Sequence, residues 1–598
     1  MIPSSCSLVE IQRQIDEVKR FLAITLSIAN AHTVEFYTHD VWNRFMAVSP
    51  EEVLSAVTSA SGHQREPELK GSKQSGTTFG FCNDTHRLID THELLQAAKA
   101  HSLAGLGICL SRDELMHAVR KISLDPGAPP ASIGTVLEPD EFMNSKKSHE
   151  VQSMSEVVSC LAQHCGVKQV IDVGSGKGYL SSFLSLQFGL QVYGIDSSST
   201  NTHGAQERNR KLKKFSRAYQ KHRKATRAQE EATRQQEPVE IKTGLNGEGD
   251  VLDGVGAENV SHRAEEEEEE KVPSPVLIGL SDANSVIEGH SEPEDLFLSA
   301  LSLDVIQSTS SRVSPSQLSA EEKEKRKREN LERKAQSRTS RASAVFSPLT
   351  SYVTAETELR ELINELEAAV MVGLHTCGDL APSTLRMFVA KPELAAVCSV
   401  GCCYHLLSEE FDPSVQDHLQ AIHGFPLSQY LRDQSWFCGR NARMSACLAL
   451  ERVSVGQGIQ MESLFYRAVL HVILRDHYSC FKSEKRVGNV YSKAKSFVDY
   501  VRRALHRLEL DGAKLSDSAI QDYYDTYRPR MSEMHAFNML KVTLAPCIEG
   551  LLLLDRLCYL KEQEDVSYSA LVQLFDPLLS PRCYAVIGLK TNGDRITS

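Results

Sequence analysis

A chain of 598 residues with 41% hydrophobic side chains exceeds one ordinary domain and can bury a sizeable core. A formal net charge of −12 argues against general affinity for nucleic acid, although a local basic patch could override it, and 15 scattered cysteines without a C-x-x-C pair suit a reduced, intracellular protein of the cytoplasm or nucleus. The charged run from Glu10 to Arg20 leaves no room for a secretory signal, and Leu551-Leu552-Leu553-Leu554, bracketed by Glu549 and Asp555, is far too short for a membrane span, so no membrane partner is expected.

In chain order, residues 8 to 58 read as helical, because Leu8, Ile11, Ile15, Val18, Leu22 and Leu26 keep steps of three and four. Residues 61 to 78 are polar and read as a loop, helical pattern returns from Thr91 to Arg120, and Pro126, Pro129 and Pro130 mark a linker. Residues 1–145 are therefore expected to form a helical N-terminal region. Ser153 and Glu156 have capping-box spacing for a helix with the apolar face Met154, Val157, Val158 and Leu161, stopped by Gly166. Val167 to Val173 reads as a covered strand, Leu180, Phe183, Leu184 and Phe188 as a helix face ended by Gly189, and Leu190 to Ile195 as a second strand closed by Asp196. This βαβ unit makes 146–213 the first part of an α/β core.

Residues 214–343 differ in kind. The acidic run Glu265 to Glu270, many serines and the mixed charges from Glu321 to Lys334 cannot bury enough apolar surface to offset ordering entropy, so a disordered insertion is expected, with Pro275 to Leu280 its one apolar island. The core resumes over 344–450 with strand-like runs at Ala369–Leu374 and Val397–Gly401, a helical region covers 451–565, and 566–598 carries a final strand over Cys583–Leu589.

The turn between the first two core strands is Asp172-Val173-Gly174-Ser175-Gly176-Lys177-Gly178. Glycines there let the backbone pass close to a ligand, and the acid closing the next strand, Asp196, can accept hydrogen bonds from ribose hydroxyls. A P-loop fails because position 171 is Ile and position 178 is Gly, and a dinucleotide turn fails because position 179 is Tyr. The spacing Asp-x-Gly-x-Gly-x-Gly resembles motif I of the class I methyltransferases, which implies S-adenosyl-L-methionine held by Asp172, Gly174, Gly176, Gly178 and Asp196. Asp172 could also orient the loop through backbone amides. By the same resemblance Lys146 and His149, in Lys146-Lys147-Ser148-His149-Glu150, could close over the methionine carboxylate, or form a solvated basic turn.

With the phrases Val372-Gly373-Leu374-His375-Thr376-Cys377-Gly378-Asp379-Leu380, Val400-Gly401-Cys402-Cys403-Tyr404-His405, Gly439-Arg440-Asn441-Ala442-Arg443-Met444-Ser445-Ala446 and Leu578-Leu579-Ser580-Pro581-Arg582, the chain outside the insertion resembles the methyltransferase-like protein 25 family. The resemblance implies a Rossmann-like class I methyltransferase sheet, interrupted by the insertion and carrying helical N-terminal and C-terminal additions. It names no acceptor.

Ligands in such sheets sit at the carboxyl ends of the strands. His375, Thr376 and Cys377 are expected there beside Cys402, Cys403, Tyr404 and His405. His405 or His375 could act as a base and Tyr404 could stack on a planar substrate, giving His405, Tyr404 and His375 as candidate catalytic residues, unless these side chains only pack the sheet edge. Cys377, Cys402, Cys403, His375 and His405 include zinc-ligand types, but adjacent cysteines seldom share a tetrahedral ion and no standard spacing is present, so no metal is expected. His375-Thr376-Cys377-Gly378 stands where enzymes of exocyclic base amines carry Asn/Asp-Pro-Pro-Tyr, which disfavours adenine N6 chemistry, and Cys402-Cys403-Tyr404-His405 is loosely similar to a family acting on tRNA ribose hydroxyls. The basic residues from Arg208 to Arg227 could contact phosphates or form a solvated linker, and Arg440 and Arg443 could reach an anionic substrate or pair with carboxylates. The expected function is therefore methyl transfer to an acceptor, RNA slightly preferred over protein or a small molecule. The alternative is a non-catalytic cofactor-binding scaffold.

Overall fold

The computed structural model describes residues 6–61, 78–81, 87–122, 143–210, 212, 346–413, 422–456, 460–478, 487–488 and 490–591, all within one compact unit. The expected loop at 61–78, apart from its ends, the proline linker, the insertion 214–343 with its apolar island, and the basic residues beyond Arg210 lie outside the described residues.

The first helix, Leu8–Asn30, starts on a Ser7 cap and ends well short of residue 58; Val41–Phe45 and Pro50–Ser61 follow as separate helices. Strands β1 (Thr78–Phe81) and β2 (Arg87–Asp90) form an antiparallel pair that the apolar spacing did not reveal. The stretch from Thr91 to Arg120 is likewise not one helix. Gly107 in the left-handed region ends the second of two short helices, and β3 (Cys109–Ser111) follows before helix Arg112–Ile122.

Helix Ser145–Cys165 begins more than two turns before the expected capping box. Asn144 caps it, its side chain accepting from the Lys147 amide at 2.8 Å, while Ser153 is buried mid-helix. Gly166 ends it as expected, at φ 64°. Then come β4 (Gln169–Val173), helix Tyr179–Phe188, β5 (Gln191–Asp196), β6 (Ser347–Thr350), β7 (Ala369–Thr376), helix Leu380–Ala390, β8 (Leu394–Gly401), helix Met461–His477, the 31-residue helix Met531–Lys561, β9 (Val566–Gln573) and β10 (Tyr584–Lys590). The sequence reading gave the C-terminal segment a single strand; β9 is the second.

The eight-stranded sheet runs β3-β9-β10-β8-β7-β4-β5-β6. β4 to β8 are mutually parallel, β10 opposes both β8 and β9, and β3 adds a parallel edge beside β9. This is the Rossmann-like α/β sheet expected, with one extra edge strand.

Alternation along each strand feeds a separate core on each face. Val170, Val192, Val370, Val372, Cys398 and Ile587 pack with helices Ser145–Cys165 and Tyr179–Phe188. Ile171, Val173, Ile195, Met371, Val397 and Val586 pack with Leu8–Asn30, Met461–His477 and Met531–Lys561. A window within Asp517–Lys561 is apolar and long enough for a membrane span, and 83% of that window is buried inside the protein. Its hydropathy is that of a helix surrounded by other helices and the sheet.

Candidate active site

The glycine turn follows β4. Gly174, Gly176 and Gly178 have φ of 71°, 56° and 72°, values a side chain rarely tolerates. Ile195 O accepts from the amides of Gly174 at 2.8 Å and Ser175 at 3.1 Å, which ties the turn to the end of β5. A Cβ at Gly176 would meet nothing within 4 Å, so the bend presents bare backbone to open space, whereas a Cβ at Gly178 would lie 2.2 Å from the Phe346 ring.

Asp196 ends β5 beside this bend. Its carboxylate accepts from the amides of Gly176 at 3.0 Å and Ser198 at 2.8 Å and from Asn201 Nδ2 at 3.2 Å. A carboxylate has about four acceptor positions, so a place remains for a ribose hydroxyl. Asp172 bonds to the helix that follows the turn. It is buried beneath the turn, accepts from Ser181 Oγ at 2.6 Å, and is pushed up to about 7 by desolvation, with the Asp196 charge adding to the effect.

The basic segment Lys146 to Glu150 forms the first turns of helix Ser145–Cys165, and its side chains divide. His149 turns to the C-terminal segment, where its Nε2 accepts from the Asp576 amide at 2.9 Å and its ring meets Phe575 edge-on. Lys146 is half-buried, and its charge favours the carboxylate of Glu150. Lys147 Nζ lies 4.4 Å and Arg208 Cζ 4.2 Å from the Tyr179 ring centroid, and Lys177 and Lys146 add positive charge around Lys147.

The register of β4 on β7 pairs Asp172 with Val372 and so carries Gly373 to His375 past the glycine turn. His375 is the informative residue here. Its φ of 64° is unusual for a side-chain-bearing residue, its ring is 35% exposed, and its Nε2 lies 2.9 Å from Glu150 Oε2. Glu150 is buried, and its other oxygen accepts from Ser580 Oγ at 2.6 Å. Burial raises the Glu150 carboxyl, but hydrogen bonds from His375 and Ser580 with the nearby charges outweigh it and leave the group below its ordinary value. Sequence reading named neither Glu150 nor Ser580 as a site residue. They stand 225 and 430 residues from their partners, so no local spacing could signal them, although Ser580 lay inside a phrase that carried the family resemblance and Glu150 ended the basic segment Lys146 to Glu150.

Tyr404 and His405 are not where that reading put them. The chain leaves β8 into the tight turn Tyr404–Leu406, which drives both rings under the helices. Tyr404 is 2% exposed; its hydroxyl donates to Glu549 Oε1 at 2.8 Å, and Arg556 and Arg582 flank its ring. It cannot stack on a substrate. His405 is 4% exposed with Nδ1 3.8 Å from Cys447 Sγ, which removes it as an accessible base. Arg443 pairs with a carboxylate: it is buried, its Nε lies 3.0 Å from Glu409 Oε2, and its Nη1 donates to Tyr404 O and Leu407 O. Arg582 Nη1 donates to Glu549 and to Ala446 O, binding the C-terminal segment to the long helix.

The site is thus a bare backbone bend with an acid beside it and an oriented imidazole on the adjoining strand end. A family model described as "Methyltransferase domain" matches residues 146–255 and 297–410. The chain is 46% identical to the human protein named "Probable methyltransferase-like protein 25" over 98% of both chains, and 47% identical to its mouse counterpart over 99% of both. No solved structure matches it.

Proposed function

The chain belongs to the methyltransferase-like protein 25 family, and from that premise we propose that it transfers the methyl group of S-adenosyl-L-methionine to an acceptor, RNA before protein or small molecule, with His375 as the proton acceptor. The observation that carries this reading is the pairing of the turn at 174–178 with Asp196 on one strand end and the His375–Glu150 pair on the next.

When bound, the cofactor supplies an electrophilic methyl on a sulfonium. The backbone of Gly174 to Gly178 would hold its nucleoside, Asp196 a ribose hydroxyl, and Lys146 its carboxylate. With Nε2–H donated to Glu150, the basic lone pair of His375 is on Nδ1. There it takes the proton of an acceptor hydroxyl or amine as the methyl arrives. Glu150 fixes the ring and balances the resulting imidazolium, while Ser580 holds Glu150. The preference for RNA is supported by Lys146, Lys147, Lys177 and Arg208, a positive rim that can meet phosphate despite the acidic whole.

The test is transfer of labelled methyl from the donor to cell extract by the full chain, compared with Asp196→Ala and Gly176→Arg. Label found only with wild type and removed by nuclease is expected. Label removed only by protease would overturn the RNA preference, and identical labelling by all three proteins would overturn the pocket. Donor binding without transfer would favour the scaffold reading.

A further inference from the structure

Beside the His375–Glu150 pair, three sulfurs converge. Cys377 Sγ follows β7 and lies 3.0 Å from Cys402 Sγ after β8, which is 3.6 Å from Cys403 Sγ. Among the described residues these three ligand atoms lie within 4.8 Å of one another. Sequence alone spoke against a shared ion because adjacent cysteines seldom share a tetrahedral one and no standard spacing is present; within a strand, consecutive residues would point to opposite faces. The strand has ended at Gly401, however, and the turn into Tyr404–Leu406 aims Cys402 and Cys403 at the same point.

We propose that Cys377, Cys402 and Cys403 form a three-thiolate site for one zinc ion, with the fourth position open to solvent. Zinc bound by thiolates at ~2.3 Å in a tetrahedron sets sulfurs ~3.8 Å apart. Cys402 and Cys403 nearly satisfy this already, and Cys377 needs only to swing outward from Cys402. Cys377 and Cys402 are half-buried, which admits an ion, while Cys403 is buried. A disulfide between Cys377 and Cys402 would use two sulfurs and leave the third without a role.

Binding displaces three thiol protons and leaves a complex of one net negative charge. The fold holds a cation for that charge. Arg556, buried on the long helix, comes so close to the strand end that a Cβ on Gly401 would lie 2.3 Å from its Nη1, and Cys402 is among the groups acting on its charge. Cys377 Sγ lies 3.5 Å from His375 O, so the test of the site reads bound metal and not methyl transfer.

The full-length reduced chain is loaded with zinc(II), and separately with cobalt(II), then freed of excess metal. One zinc per chain is expected, with a thiolate-to-cobalt charge-transfer band and the visible bands of a tetrahedral ion. Cys377→Ser and Cys402→Ser should each weaken zinc binding at least ~10-fold, while Cys6→Ser leaves it unchanged. Since a cysteine variant can misfold, alkylation of wild type is mapped with and without zinc, and zinc should protect these three cysteines together. No retained metal on folded wild type, equal alkylation with and without zinc, or a Cys377–Cys402 disulfide on a metal-free chain would overturn the site.

Discussion

Glu150 shows how much one buried carboxylate can decide. It is placed by the first turns of a helix, anchored by Ser580 from the chain's other end, and aimed at His375. If the imidazole accepts the proton, His375→Ala should lower kcat by about 10²-fold or more with KM for the donor unchanged. Glu150→Gln should lower kcat less, again without a donor KM effect, and Glu150→Asp should recover part of it. A matching rise in donor KM in all three would assign the pair to binding. Asp172 makes a different prediction, about stability. Its folded carboxyl is pushed up to about 7 from an ordinary value of 3.8, desolvation being the main cause. The folded state therefore binds this proton more tightly than the unfolded state. The associated stability is fully present below about pH 4 and is lost as pH rises through 7. Asp172→Asn, which keeps an acceptor for Ser181, should remove a pH dependence on the order of 4 kcal/mol across that window. Unfolding midpoints of variant and wild type measured from pH 4 to 8 should converge at the acid end and separate at the alkaline end. Parallel curves would contradict the assignment. Asp555, raised to about 6 chiefly by burial, titrates in the same window in both proteins and cancels in the comparison.

Among the elements, the strand-turn-helix at 169–188 was the most legible, because each part has a local cause. Val170, Ile171 and Val173 give the strand its apolar character, three glycines permit the bend, and Gly189 stops the helix. What the sequence did not show is that Gly178 also makes room for Phe346, a residue from beyond the insertion. Gly178→Ala should cost about 1–2 kcal/mol for its left-handed backbone alone, with the ring clash added. A lowered melting temperature and loss of donor affinity are expected. Calorimetry showing wild-type affinity in Gly178→Ala would detach the turn from the cofactor. The elements that were misread have equally definite reasons. β3, three residues long, and β1 and β2, four each, are too short for alternation to register, and Asn144 offered as good a cap as Ser153.

On the scale of the whole molecule, the two sides of the insertion meet. Asn209 Nδ2 donates to Phe346 O at 2.6 Å, and the Phe346 amide donates back to Asn209 Oδ1 at 3.3 Å. Residues 137 apart in sequence are thus clasped together, so the sheet needs little chain between them. Deleting residues 230–340 should leave a cooperatively unfolding protein with unchanged donor affinity. Non-cooperative unfolding, followed by circular dichroism in urea, would show that those residues belong to the core. The sequence by itself determined the α/β class, the glycine turn, the acid at the end of β5 and the chain segments that build the core, because short-range periodicity and turn chemistry specify each of them. Only the tertiary structure decided which groups of the Cys-Cys-Tyr-His phrase remain reachable, that His375 has Glu150 for a partner, and that three cysteines converge. Those outcomes depend on how strand ends and helices from distant parts of the chain come together, and side-chain burial there is set by packing rather than by neighbours in sequence.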